Sequence, residues 1–505
     1  MNYDSRKTIT GGSLRCLLII LILLQISSII AAVYTVDADS LTQKLDALLR
    51  SPLISGATVA LGIWELEAGK EVFVRNADAN LIPASLQKLY TLSAALHEMG
   101  SGHQFVTRFG YRGEIVEQCL NGDLVIIADG DPAWTTDFYL EGAHRIFEHW
   151  ADSLSTHGIK SINGNVVINV GKFPVYRDST TWDRGDYAYG YAAISAPFSF
   201  NENAIIYEIT AGDTMDCETT ISVEGGYSYL RFDNIVKTSM QGVKADVSIN
   251  ATDTPNHILI SGTIPLESTY RVRAAVPDPH AFASGVMMQY FKEKGIEISG
   301  HASFDSAFPA NAQMETLFNH PSPPLKDIVG VCMKRSSNLM GEMLYVQLSG
   351  GIASTQDKIR SFAATTGVVS NSLSAVDGCG LSRKNLLKAS YLGKLLVFAQ
   401  KQPWFKDFFS SLAISGTDGT LKTRLVESPA REKVFAKTGS MRGISNIAGY
   451  FTASDGKLYA FVILCNDVPD TTKARQWQDE TLEEMVRLCE QGVNIRGSEI
   501  IQAPR

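Results

Sequence analysis

The sequence predicts an α+β protein: an antiparallel sheet flanked by helices, assembled from both ends of the chain, with a mostly-β region inserted between. Three observations carry that expectation. A strand–turn–strand pattern lies near the start, over 57–64 and 71–75. Three strand-like runs lie near the end, over 434–438, 447–452 and 458–466. Between them, from 103 to about 277, short β-like runs outnumber helical stretches. A chain of 505 residues, 45% hydrophobic and 19% charged, has the make-up of an ordinary globular protein and length for two or three domains.

In chain order, Arg6, Lys7 and Arg15 precede an apolar run from Leu17 to Val33, broken only by Gln25, Ser27 and Ser28 and ending on small Ala31 and Ala32. This reads as a secretory signal over 1–32, or as an uncleaved anchor, since the run is close to spanning length. Either way the rest is exported, to the periplasm or cell envelope, and meets a membrane only through this segment if it is uncleaved. Cys16 precedes the apolar run, which argues against lipid attachment. Leu41, Leu45, Leu48 and Leu49 recur at helical spacing, and a hairpin follows, turning at Glu67-Ala68-Gly69-Lys70. A helix starts at Pro83 and runs to about Glu98, closed by Gly100. The β-like runs then fall at 105–111, 124–128, 165–170, 204–210, 246–249 and 257–261, with one clear helix at 142–158. Helices resume at 280–294, 327–348, 356–366, 388–400 and 403–411. The last, 472–489, carries Trp477, Leu482, Met485 and Leu488 on one face. The resulting division is one discontinuous domain, 37–103 plus 279–505, and an insertion, 104–278.

A net charge of -8 and a pI near 5.7 argue against nucleic-acid binding. Beyond the first segment the cysteines are Cys119, Cys217, Cys332, Cys379, Cys465 and Cys489, with no Cys-x-x-Cys pair. Cys332 and Cys465 sit in apolar surroundings and read as buried thiols; an exported chain permits a disulfide, but the sequence assigns none. There is no His-Glu-x-x-His, and His144 and His149, five apart, fall on different helix faces. No metal and no cofactor is expected.

Ser85-Leu86-Gln87-Lys88 is where chemistry is concentrated. Three apart at a helix start, Ser85 and Lys88 share a face, so a lysine amine can take the proton of a serine nucleophile. The free N–H groups of the helix start favour a developing negative charge there. Pattern alone is weak: Ser454-Asp455-Gly456-Lys457 matches too and reads as a turn between strands. Company strengthens it. Ser336-Ser337-Asn338 begins an apolar helical run, although Ser161, Ser199 and Ser248 also start a Ser-x-Asn. Lys437-Thr438-Gly439 occurs once, on a strand leading into a hairpin, where Gly439 would let a substrate backbone approach and Ser440 follows.

In this order the three motifs resemble the signature of penicillin-binding proteins and serine β-lactamases. The wider chain is similar to the exported D-alanyl-D-alanine carboxypeptidase/endopeptidase family, low-molecular-weight penicillin-binding proteins. The stretches that carry this are Gly130-Asp131-Pro132, Ser195-Ala196-Pro197, Asn201-Glu202-Asn203, Ser261-Gly262-Thr263-Ile264-Pro265 and Ala275-Val276-Pro277-Asp278-Pro279. Asp377-Gly378, Gly380-Leu381-Ser382-Arg383 and Asp418-Gly419-Thr420-Leu421 continue it. The resemblance implies a β-lactamase/DD-peptidase-like transpeptidase domain with extra domains between Ser85 and Ser336. It implies a penicillin-sensitive serine DD-peptidase that cleaves D-Ala-D-Ala, and the D-Ala–diamino acid cross-link, of peptidoglycan stem peptides, with β-lactam antibiotics as covalent inhibitors.

The implied roles are Ser85 as nucleophile, Lys88 as base with Lys437 lowering its pKa by repulsion, and Ser336 as proton relay. Asn338 would hold the substrate amide, Lys437, Thr438 and Ser440 the terminal carboxylate, and the N–H groups of Ser85 and Ser440 the oxyanion. Gly439, Asn169 and Arg383 complete the implied substrate-binding set. Two positions depart from the family pattern: Cys379 replaces a serine, and Asn169 stands where an aspartate associated with the diamino acid amine is usual. A β-lactamase would need a carboxylate to activate water, and no Glu stands in a matching context. A wall-binding scaffold with an idle site is the remaining alternative.

Overall fold

In the computed structural model, residues 41–139, 141–171, 173, 181–306, 314–348, 352–369 and 372–487 are described. Residues 1–32, expected to be a signal or anchor, and Lys172, Leu488 and Cys489 lie outside them. Among the described residues no helix is long and apolar enough to cross a membrane.

A six-stranded antiparallel sheet forms the centre of one half, in the order Ala413–Ile414, Val434–Met441, Ile444–Thr452, Leu458–Asn466, Thr58–Glu65, Glu71–Arg75. The first long strand of the chain lies beside the last, Thr58 opposite Asn466 and Glu65 opposite Tyr459. Alternation along Thr58–Glu65 sends Ala60 and Trp64 to one face and Leu61 and Ile63 to the other. Both faces are covered. On one lie Leu89, Leu92 and Leu96 of the helix Gln87–Met99, with Leu392, Leu395 and Leu396 of the helix Ala389–Gln400. On the other lie Leu41 and Leu45 of the helix over 41–48, with Trp477, Leu482 and Met485 of the helix Thr471–Val486. Strands buried on both sides result, as in Ile444–Thr452, where only Thr452 is not buried.

The helix expected over 327–348 is two helices, Leu325–Arg335 and Asn338–Gln347. Ser336 breaks it by adopting φ 60, a left-handed cap, and Ser337 then caps the second helix by accepting the Met340 N–H. The Ser-x-Asn motif is therefore an elbow between helices.

The inserted half has its own aromatic core, which includes Phe109, Trp134, Phe147, Trp150, Phe198 and Phe200. It extends past the expected boundary at 278. The helix Pro279–Glu293, expected with the catalytic half, buries Phe282, Met287 and Phe291 in this core. The strands Glu297–Ile298, Ala302–Asp305 and Glu315–Pro321 join Val106–Val116, Cys119–Ile127, Ser161–Ile162 and Val166–Asn169 in a seven-stranded sheet. Two three-stranded sheets complete it: Asp246–Ala251, His257–Pro265, Arg231–Ser239, and Thr269–Ala275, Ala204–Thr210, Thr220–Val223. The chain leaves at Phe105 and returns at Ser322, whose backbone N–H donates to the Phe105 carbonyl at 2.8 Å.

Candidate active site

Pro83 opens a 3-10 turn, Ala84–Leu86, that runs into the helix Gln87–Met99 and presents Ser85 half-buried at its start. Ala84 sits at φ 48, left-handed and unfavourable for a residue with a side chain. Its neighbours enforce this conformation. Gly380, at φ 87, packs so closely that a Cβ there would lie 1.9 Å from the Ala84 carbonyl oxygen. The Asn446 amide donates to the Ile82 and Pro83 carbonyls, both at 2.9 Å.

Lys88 is wholly buried, and its Nζ contacts Ser85 Oγ at 3.1 Å, Asn338 Oδ1 at 2.7 Å and the Cys379 carbonyl at 2.7 Å. Three acceptors match the three N–H bonds of an ammonium; in the neutral amine the Ser85 contact reverses and the hydroxyl donates to the lone pair. Lys437, 1% exposed, donates to Ser336 Oγ at 2.8 Å and to the Thr438 carbonyl at 2.7 Å. Burial first, and the charge of Lys88 second, hold the Lys437 pKa well below the ordinary lysine value.

The five motif residues Ser85, Lys88, Ser336, Asn338 and Lys437 come together in two linked clusters. Thr438 Oγ1 donates to Thr420 Oγ1 at 2.8 Å, which adds the Asp418-Gly419-Thr420 turn to the rim, and Ser440 is exposed beside it. Gly439 has a different reason from the one its motif suggests. A Cβ there would stand 2.7 Å from the Pro83 carbonyl and 3.1 Å from the Ser85 nitrogen, so the chain's own nucleophile turn makes the close approach. Arg383 donates to the Arg442 carbonyl at 2.5 Å, bracing the turn after the motif strand. Asn169 is 1% exposed at the end of its strand, with Oδ1 bonded to the Gly171 N–H at 2.9 Å within its own loop. The structure does not bring these last two into the clusters.

Behind Lys88 lies the loop 377–385, in which only Arg383 was expected to serve the site. Asp377 accepts from Gly380 N at 2.8 Å, Ser382 N at 2.6 Å, Asn385 Nδ2 at 2.8 Å and Trp182 Nε1 at 2.9 Å. Glu342 Oε1 accepts the Gly378 and Cys379 N–H groups at 2.9 and 2.7 Å. Glu342 and Asp377, with the Cys379 thiol, are the one close group of potential metal ligands among the described residues. Both Asp377 oxygens are already taken up by N–H donors. Burial and then the Asp377 charge push the Glu342 carboxyl up to about 8. A sequence signal for Glu342 existed: a lone carboxylate inside the apolar run Leu339–Val346.

The Peptidase family model for D-Ala-D-Ala carboxypeptidase 3 (S13) matches residues 41–487. The chain is 27% identical over 457 residues to a D-alanyl-D-alanine carboxypeptidase of Actinomadura sp. (strain R39), covering 84% of this chain and 81% of that one. It is 25% identical over 455 residues to the D-alanyl-D-alanine carboxypeptidase DacB of Haemophilus influenzae, covering 88% and 91%. The crystal structure of penicillin binding protein 4 (dacB) from Haemophilus influenzae shares the fold, with a TM-score of 0.75, 23% identity, and coverage of 89% of this chain and 99% of that one. With a model matched across nearly the whole described chain, this protein belongs to the D-Ala-D-Ala carboxypeptidase 3 (S13) family of serine hydrolases.

Proposed function

We propose that the chain is an exported, penicillin-sensitive serine DD-peptidase acting on peptidoglycan stem peptides. One observation carries the reading: the buried Lys88 amine touches Ser85 Oγ, Asn338 Oδ1 and the Cys379 carbonyl at once. A serine hydroxyl against an enclosed amine is an activated nucleophile. Ser85 Oγ attacks the carbonyl carbon between the two D-alanines while Lys88 takes the hydroxyl proton, and the N–H groups of Ser85 and Ser440 receive the oxyanion. The C–N bond breaks as Ser336, backed by Lys437, delivers a proton to the leaving D-alanine amine. Water then hydrolyses the Ser85 ester. Thr438, Ser440 and Lys437 bind the terminal carboxylate, and Asn338 orients the substrate amide. Export rests on the basic and apolar N-terminal pattern. Arg383 and Asn169 enter as supports of their loops; cleavage of the D-Ala–diamino acid cross-link belongs to the same acyl-enzyme chemistry.

The test is labelling of the purified mature chain with a fluorescent penicillin, compared with Ser85→Ala by intact mass. One adduct on the wild type, none on the variant, and D-alanine release from a stem pentapeptide are expected. A folded wild type that takes no adduct would refute the enzyme reading and favour a wall-binding scaffold.

A further inference from the structure

The insertion does more than separate the motifs, because its segment from Trp182 to Asn203 reaches the site at three places. Trp182 donates to Asp377, and the Tyr191 carbonyl accepts the Asn338 amide at 2.8 Å. The third contact is the most heavily built. Asn201, Glu202 and Asn203 stand at φ 50, 55 and 50, three consecutive side-chain-bearing residues in the left-handed region. L-residues enter that region at a cost and rarely in succession. Here the turn is pinned from both sides. Asn203 Oδ1 accepts the Phe200 N–H at 3.1 Å while its Nδ2 donates to the Ile194 carbonyl and Ser199 Oγ at 2.7 and 2.8 Å. The Asn201 N–H donates to the Trp134 carbonyl at 2.8 Å.

What this turn delivers is one carboxylate. Glu202, 5% exposed, accepts the Ser337 hydroxyl, Arg335 Nη2 at 3.2 Å and Arg273 Nη1 at 2.6 Å. Arg335 and Ser337 are the two chain neighbours of Ser336. Backbone strain held in place by surrounding bonds, and ending on a contact with a functional turn, is strain put to use. Burial alone would push the Glu202 carboxyl up, but Arg273, Arg335 and the Ser337 hydroxyl outweigh it and hold the group below its ordinary value, as an anion.

We propose that Glu202 is a positioning residue for acylation, supplied by the insertion: it fixes Arg335 and Ser337 so that Ser336 Oγ stays on Lys437 and Asn338 Oδ1 on Lys88. The inference rests on the reading of Ser85 as the acylated nucleophile. Glu202 grips the elbow from the insertion side, while Lys437 and Lys88 hold it from the catalytic side. The carboxylate also acts through its field. The charged and titratable groups facing it are Arg273 on the strand Thr269–Ala275, Arg335 and Cys332 on the helix Leu325–Arg335, and, across Arg335, Asp137. Cys332 feels Lys88, Lys437, Glu202 and Arg335 together, so all of them share one electrostatic neighbourhood. Removing the anion further disfavours the protonated form of Lys437, whose pKa burial and the Lys88 charge already hold low, and moves its titration to lower pH.

The experiment measures the second-order rate of penicillin acylation against pH, with a thermal midpoint for each protein, on the mature wild type, Ser85→Ala, Glu202→Gln, Glu202→Asp, Ser337→Ala and the Glu202→Gln/Ser337→Ala double variant. Glu202→Gln is expected to slow acylation roughly 10- to 100-fold, the scale of a reacting group displaced by about 1 Å, and to shift the pH profile to lower pH. Glu202→Asp keeps the charge, so its profile stays in place and its rate falls between the two. The double variant is expected to be no slower than the slower single one. Wild-type acylation by folded Glu202→Gln overturns the proposal, as does a uniform loss at every pH that adds to that of Ser337→Ala. Should Glu202→Gln not fold, Glu202→Asp decides: slowed acylation with an unshifted profile supports the proposal, and a wild-type rate overturns it. A wild type that takes no adduct refutes the nucleophile reading itself, a separate result from a wild type and Glu202→Gln that react alike.

Discussion

At the scale of single residues, Glu342 shows how a buried charge is used and what it costs. Its Oε1 holds two N–H groups of the loop whose Cys379 carbonyl holds Lys88, while Oε2 has no hydrogen-bond partner among the described residues. An unpaired buried oxygen favours the neutral acid, and the Asp377 charge adds to that preference, raising the pKa to about 8. The sign for stability follows from proton counting. Between the ordinary value of 4.5 and about 8 the unfolded chain has lost this proton and the folded chain keeps it, so stability falls as pH rises through that window. Glu342→Gln keeps an acceptor for both N–H groups and has no charge to lose. Denaturant titrations at pH 5 and pH 8 are expected to show a smaller loss of stability with pH in the variant than in the wild type, with penicillin acylation retained within roughly tenfold. An equal pH dependence in both proteins would refute the protonated carboxyl.

At the scale of elements, the site depends on how a strand grips a helix start. Asn446, 1% exposed on the strand Ile444–Thr452, donates to the Ile82 and Pro83 carbonyls and accepts the Cys465 N–H at 2.8 Å. It thus ties two strands of the sheet to the turn that carries Ser85. Asn446→Leu fills similar space but strands the buried Cys465 N–H and leaves the Ile82 carbonyl with the Asn466 amide alone and the Pro83 carbonyl with the Leu86 N–H alone. This is expected to cost about 1–3 kcal/mol in chemical denaturation and to slow acylation. Unchanged stability would show that the tie is dispensable. This level of structure was half legible beforehand. The strands 57–64 and 458–466 announced themselves because both sheet faces are covered, which leaves long runs of apolar and aromatic residues, 59–64 and 458–465. Arg231–Ser239, Thr269–Ala275 and Glu315–Pro321 gave no such signal: they are largely half-buried or exposed, and their pairing partners are distant in sequence. The Ser336 elbow was hidden for another reason. Apolar residues flank it at helical spacing on both sides, and the left-handed cap is imposed by Glu202 and Lys437, which no local pattern reveals.

At the scale of the whole molecule, the motifs stood out in the sequence but the wall around them did not, because that wall comes from the insertion. Trp182, Tyr191 and Glu202 each meet a different part of the catalytic half, at Asp377, Asn338 and the Ser336 elbow. Phe105 and Ser322 bond to each other where the insertion begins and ends, so it can be excised and its ends joined by a short Gly/Ser linker without stretching the chain. The six-stranded sheet and its two covering layers would remain intact in such a protein. The motif residues would remain too, yet Asn338 would lose its carbonyl partner, Asp377 one of four donors, and Arg335 and Ser337 their shared carboxylate. The expected result is a chain whose far-UV circular dichroism keeps the helices of the catalytic half but whose penicillin acylation falls by at least about 100-fold, the scale set by misplacing reacting groups. Adding back the insertion as a separate polypeptide is not expected to restore the rate, since three contacts have to close together against the entropy of association. Acylation of the excised chain at the wild-type rate would show instead that the catalytic half positions its own residues and that the insertion acts only elsewhere on the substrate.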